Sequence, residues 1–137
     1  DKNLYENSEY VSKNIKNIFP NDERVIFYDY SFEPSYQLLD KLIIDLQKKK
    51  LDQKIDAWIG IGGGSTMDTA KGLAILCKNK KPSINYKGFP VKLNDPLPVI
   101  AIPSTTGTGS EVVFYASFID EDSKVKMGIN YKTFLFW

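Results

Sequence analysis

The sequence predicts an α/β fold, an open and mostly parallel sheet with flanking helices, and two observations carry that expectation. Short β-branched and aromatic runs at residues 25–29, 57–61 and 98–103 read as buried strands. Apolar residues at three- and four-residue spacing follow the first run, at 38–46, and read as a helix, and residues 67–79 after the second run read as another. Strands alternating with helices in this way build parallel sheets.

Each element has its own signal. Residues 9–18 form a modest amphipathic helix, and the run Val25-Ile26-Phe27-Tyr28-Asp29 is a strand ending in a carboxylate. Glu33-Pro34-Ser35 opens the next helix, whose apolar face is Leu38, Leu39, Leu42, Ile43 and Leu46. The lysines at 48–50 suit its negative C-terminal end and read as a solvated terminus. The second strand runs into Gly62-Gly63-Gly64, and the second helix ends at Asn79-Lys80-Lys81-Pro82. Residues 83–98 are rich in Pro, Gly, Asn and Lys and read as a surface loop. The third strand carries a proline at each end, where it costs little. A hydroxyl- and glycine-rich loop follows at 104–111, then a β-hairpin at 112–119 and 124–129 with an acidic turn.

Composition removes several function classes. The chain has 137 residues, enough for one domain with a real core, and a net charge of +1 gives no electrostatic case for nucleic acid. No apolar run approaches the roughly 20 residues that span a bilayer. The single cysteine, Cys77, sits in an apolar helical run and reads as a buried thiol, which fits a reducing, cytoplasmic compartment. The absence of histidine excludes Ser-His-Asp and Cys-His nucleophile systems within this chain and the usual imidazole ligands of zinc and iron.

What the chain can do is written at Trp58-Ile59-Gly60-Ile61-Gly62-Gly63-Gly64-Ser65-Thr66. A strand enters glycines that let backbone N–H groups close on a ligand, and the helix that follows points its positive end at the same place. Phosphate is the natural occupant of such a turn; the alternative is a turn that merely lets a helix pack close. Asp29, residues 62–65 and residues 104–108 all follow strand ends, where open α/β sheets bind ligands.

These residues resemble the iron-containing (group III) alcohol dehydrogenase family. Residues 62–71, GGGSTMDTAK, look like that family's GGGSxxDxAK signature, and residues 97–111, LPVIAIPSTTGTGSE, resemble its PxxAIPTTAGTGSE signature. The resemblance implies a Rossmann-like sheet and reversible hydride transfer between NAD(P) and a small alcohol or aldehyde. A divalent metal, Fe or Zn, would polarise the oxygen in the full-length protein. It implies that Gly63, Gly64 and Ser65 hold the cofactor pyrophosphate, and that Ser104, Thr105 and Thr108 line the adenine and ribose side. Asp29 would bond the adenosine ribose and favour NAD over NADP, with NADP still possible. Asp68 would lie near the nicotinamide, or else complement the helix dipole in its first turn. Lys126 would reach the nicotinamide ribose, or else be a strand-edge lysine. The loop at 104–111 has its own plain alternative, a polar turn holding its own backbone.

Two departures from the family pattern qualify the match. The segment between Asp29 and Gly62 is shorter than the family's, and the chain stops before the helical region that carries one Asp and three His as metal ligands. We therefore expect residues 1–137 to be an N-terminal NAD(P)-binding domain of a longer enzyme, inactive alone, with no metal site and a tendency to form homodimers or higher homo-oligomers. The alternatives are a non-catalytic dinucleotide-binding module, or a related glycerol or sugar-phosphate dehydrogenase or dehydroquinate synthase.

Overall fold

The first three helices start where short polar side chains cap them. In the computed structural model, which describes residues 1–20, 25–26, 33–90 and 92–131, Asp1 caps α1 (Lys2–Asn7) and Ser8 caps α2 (Glu9–Ile18). Ser35 accepts a 3.1 Å bond from the Leu38 amide and caps α3 (Tyr36–Lys48). The buried face of α3 is Tyr36, Leu39, Ile43 and Leu46, the three- and four-residue spacing read from the sequence. The short helix α1 has no counterpart in the sequence reading, because six residues are too few to show a period.

β1 (Trp58–Gly62) leads directly into α4 (Gly64–Lys78), and β2 (Val99–Pro103) pairs with β1 in parallel, Trp58 opposite Val99 and Gly62 opposite Pro103. The fold is α/β with a parallel sheet and flanking helices, as expected. Among the described residues the parallel sheet has two strands. The strand expected at 25–29 is not seen at Val25 and Ile26, and its remainder, Asp29 included, lies outside the described residues. β1 is paired on one side by β2; on the other, the Asp1 nitrogen lies 3.0 Å from the Ile61 carbonyl oxygen. A cleft of about 640 Å³ lies beside β1, lined by Leu4, Ile15, Leu42, Trp58 and Ile59 among others.

α4 is the centre of the core. From Met67 to Cys77 every residue but Asp68 is buried, so the helix is covered all round by β1, β2, α3 and the hairpin strand β3 (Tyr115–Ala116). It begins at Gly64 with Gly63 as its cap, three residues earlier than the Met67 start read from the sequence. Cys77 is buried there, and burial raises its thiol pKa, as suits a structural thiol. The segment after α4 is less of a surface loop than its composition implies. It starts with a 3₁₀ turn (Ser83–Tyr86) in which Ser83 and Tyr86 are buried, and the Ser83 hydroxyl donates to the Tyr36 carbonyl at 2.8 Å.

The hairpin is shorter than predicted. β3 (Tyr115–Ala116) pairs antiparallel with β4 (Ile129–Asn130), and a single further bridge joins Ile119 to Lys126. Residues 112–114 are turn and irregular chain rather than strand. The turn is held by Asp120, whose carboxylate accepts bonds from the Ser123 hydroxyl at 2.6 Å and the Asp122 amide at 3.1 Å. These bonds, with the one from Gln37, lower its pKa to about 2. The hairpin docks on α3 by the Tyr36 amide to Ile119 carbonyl bond (3.0 Å) and by the Tyr36 hydroxyl to Met127 carbonyl bond (2.6 Å).

Candidate functional site

The carboxyl ends of β1 and β2 lie side by side, and the chain leaves both through glycine-rich turns. Gly62 has φ of 153°, and a Cβ there would collide with the Thr66 hydroxyl and stand 2.8 Å from the Asp1 Cβ. Only glycine lets the chain turn so tightly from strand to helix. No side chain caps the first turn of α4. Its leading N–H groups and positive end are therefore open to a ligand.

The second loop lies directly against this helix end. The Ser104 amide donates to the Gly62 carbonyl at 2.8 Å, carrying the β1–β2 ladder one step into the loop. A Cβ built on Gly63 would sit 3.4 Å from Thr105 Oγ1, and one built on Gly64 would sit 3.3 Å from the Thr108 Cβ. Residues 104–108 are all exposed. The arrangement is an uncapped helix terminus whose two leading glycines lie against the exposed Thr105 and Thr108, with the Thr105 hydroxyl nearest Gly63. That is the chemistry of a site for a phosphate ester carrying hydroxyl groups.

The predicted site residues divide into three groups. Gly63, Gly64, Ser65, Ser104, Thr105 and Thr108 come together at this edge of the sheet. Asp68 lies in the second turn of α4, so it is not the first-turn carboxylate that a dipole role needs, and α4 has no acid in its first turn. One of its oxygens accepts from the Ser110 hydroxyl and the other from the Ser117 amide at 2.9 Å. Burial raises its pKa, against the pull of these bonds and of Lys71. Lys126 is exposed on the hairpin, 2.9 Å from Glu33, and its charge acts on Asp68. An exposed pair of this kind contributes little stability. Asp29 lies outside the described residues.

Three residues at this edge were not singled out from the sequence. Asp1 stands beside Gly62 at the carboxyl end of the sheet, its carboxylate accepting from the Leu4 amide at 3.0 Å. Lys71 is fully buried and makes an ion pair with Asp68 at 3.7 Å, and Ser110 lies between them. The signal for Lys71 was a lysine set within the small and apolar run Thr69-Ala70-Lys71-Gly72-Leu73-Ala74, where a solvated charge has no place. Among the described residues no group of three or more carboxylates or cysteines gathers to hold a metal ion, and no helix is long and apolar enough to cross a membrane.

The chain matches the family model of iron-containing alcohol dehydrogenase over residues 1–136. A mitochondrial hydroxyacid-oxoacid transhydrogenase of Caenorhabditis briggsae is 34% identical over 140 residues, covering 94% of this chain and 28% of its own length. Alcohol dehydrogenase 4 of Schizosaccharomyces pombe is 39% identical over 77 residues, 56% of this chain and 18% of that one. Among solved structures, sulfoacetaldehyde reductase from Bifidobacterium kashiwanohense in complex with NAD+ superposes with a TM-score of 0.67 and 29% identity, over 80% of this chain and 28% of that one. A 1,3-propanediol oxidoreductase superposes with a TM-score of 0.75 at 24% identity, over 95% of this chain and 33% of that one, a likeness of fold. The chain thus spans a third or less of each of these relatives.

Proposed function

The chain belongs to the iron-containing alcohol dehydrogenase family, and on that premise we propose that residues 1–137 supply the cofactor site of an NAD-linked oxidoreductase acting on a small alcohol or aldehyde. The observation that carries the reading is the apposition of loop 104–108 to the uncapped start of α4. Gly63, Gly64 and Ser65 hold the pyrophosphate, and Ser104, Thr105 and Thr108 take the adenosine side. NAD accepts or gives a hydride when bound; this chain's residues bind and orient it. Asp68, one oxygen accepting from Ser110 and the other from Ser117, is held at the nicotinamide end of the site, each oxygen keeping a second lone pair for a ligand. The metal that the family name implies has no fitting donor set among the described residues, and the chain contains no histidine. We assign no step to a metal here; its ligands and most substrate contacts belong to other parts of the protein.

The test is a fluorescence titration of the 137-residue chain with NADH, in which saturable binding is expected and flat emission ends the proposal. Adding Fe²⁺ or Zn²⁺, NAD and a panel of short alcohols to the same chain is expected to give no NADH absorbance. Metal-dependent turnover would show that the chemistry does not need further chain.

NADH is expected to bind more tightly than NADPH, because a carboxylate at this edge repels a 2′-phosphate. Two residues compete for that role. Asp29 is the one proposed from sequence, and Asp1 stands beside Gly62. Titrating both cofactors against Asp29→Gly and Asp1→Gly separates them, since only the responsible substitution narrows the gap. Equal affinity for NADH and NADPH in the unsubstituted chain removes the role from both.

A further inference from the structure

Lys71 is buried to 0% exposure in the middle of α4, yet it is a charged side chain with a long list of acceptors. Its ammonium donates to the Ser110 carbonyl, to the Ser110 hydroxyl at 3.3 Å, and to the carbonyls of Val113 and Tyr115, each at 3.0 Å. Asp68, one turn back on the same helix, pairs with it and accepts from the Ser110 hydroxyl. Burying an ammonium is costly unless each of its protons finds an acceptor, and here they do. All three carbonyls belong to the stretch that begins at the far end of the glycine-rich loop and runs into β3. The near end of that loop is held by the ladder bond between Ser104 and Gly62. Between the two anchors lie Thr105 and Thr108, exposed and resting over Gly63 and Gly64.

We infer that Lys71 is a positioning residue for the nucleotide site: its buried ammonium, with Asp68 and Ser110, clamps the far end of loop 104–111 so that Thr105 and Thr108 face the start of α4. The inference rests on the cofactor reading above and deepens it. Lys71 never meets the ligand; it acts through the carbonyls of Ser110, Val113 and Tyr115.

The clamp is sensitive to pH with a definite sign. The charged groups that face it are Asp68 from α4 itself and Glu111 from the loop, both favouring the ammonium, while Lys126 from the hairpin acts on Asp68. Burial outweighs them and lowers the Lys71 pKa below the usual lysine range. Rising pH therefore discharges Lys71 before it would discharge a solvated lysine, and the clamp loses its charge and one donor. Across the same window the unfolded chain holds more protons at this residue than the folded one. The Lys71 contribution to folding stability thus rises with pH, and weaker ligand binding there is not unfolding caused by Lys71.

The experiment titrates NADH into the unsubstituted chain, Lys71→Met and Ser110→Ala from pH 7 to pH 10, with the folded fraction followed by circular dichroism. Ser110→Ala removes one small hydroxyl from the clamp and is the safeguard should Lys71→Met not fold. Expected are a tenfold or greater loss of affinity per folded molecule in Lys71→Met and a three- to tenfold loss in Ser110→Ala. The unsubstituted chain weakens toward pH 10, and Lys71→Met shows no such alkaline fall. Affinity in Ser110→Ala within twofold of the unsubstituted chain, a loss that only follows the unfolded fraction, or an alkaline fall unchanged in Lys71→Met would each overturn the inference. If the unsubstituted chain binds NADH and the variants bind equally, the clamp alone is wrong. If it binds no NADH at pH 7, the cofactor reading falls and the clamp with it.

Discussion

Gly72→Val is expected to lower the stability of the domain by about 3 kcal/mol or more, the upper end of what overpacking a core costs. A Cβ at residue 72 would stand 2.7 Å from Leu39 Cδ1 and 2.8 Å from Phe118 Cζ. Leu39 and Phe118 are both at 0% exposure, one on α3 and the other in the hairpin, so neither has free space to retreat into. Tyr36 packs against Phe118 with the rings tilted at 56° and 5.5 Å between their centroids, which fixes that ring further. Valine adds branched methyls to a Cβ that already does not fit. In a chain of this length the loss corresponds to a fall of roughly 10 °C in the thermal midpoint. Gly72→Ala makes the sharper comparison. At an exposed helix position that change stabilises by about 1 kcal/mol; here the close approach of Leu39 and Phe118 cancels the gain. A Gly72→Val midpoint equal to that of the unsubstituted chain, followed by circular dichroism, would show that α3 and the hairpin do not converge on α4 as described.

Gly72 also illustrates which parts of the molecule could be read from sequence. The apolar spacing of α3 and the strand–glycine–helix order at β1 are local patterns, and both elements lie where their residues predict. A glycine inside a helical run looks like a propensity defect until the neighbours that occupy its missing side chain are known, and those neighbours are 33 and 46 residues away in sequence (Leu39 and Phe118). The hairpin is shorter than its residues predict for a related reason. Val112, Val113 and Phe114 have strand-like side chains but are exposed at 68%, 40% and 49%, and the carbonyl of Val113 is committed to Lys71 rather than to a ladder. β-propensity describes a fit to a half-buried pleated surface, and these residues have none. The site followed the same division. Its glycines and hydroxyls are contiguous motifs and were legible. The clamp of Asp68, Lys71 and Ser110 joins residues about forty positions apart, and only packing brings them together.

Gly63→Val is expected to weaken NADH binding by tenfold or more, a loss of roughly 1.4 kcal/mol or larger, while leaving the fold intact. The argument turns on where the new side chain goes. Gly63 is the cap of α4 with φ of −75° and ψ of −176°, a backbone conformation open to any residue, so valine introduces no backbone strain. Its Cβ would sit 3.4 Å from Thr105 Oγ1, an ordinary contact, and Gly63 itself is only partly buried. Stability should therefore change little. The branched methyls, however, project into the narrow space between the helix start and loop 104–108, where a phosphate must approach the leading N–H groups closely to be held by them. At Gly62 the outcome would differ, because φ of 153° and the collision with Thr66 make any side chain there disruptive to the turn itself. The pair gives a clean reading. Gly62→Val should lose both stability and binding, and Gly63→Val should lose binding alone. Equal NADH titration curves for Gly63→Val and the unsubstituted chain would mean that the ligand does not approach α4 through this turn, and the site would have to be sought elsewhere on the sheet edge.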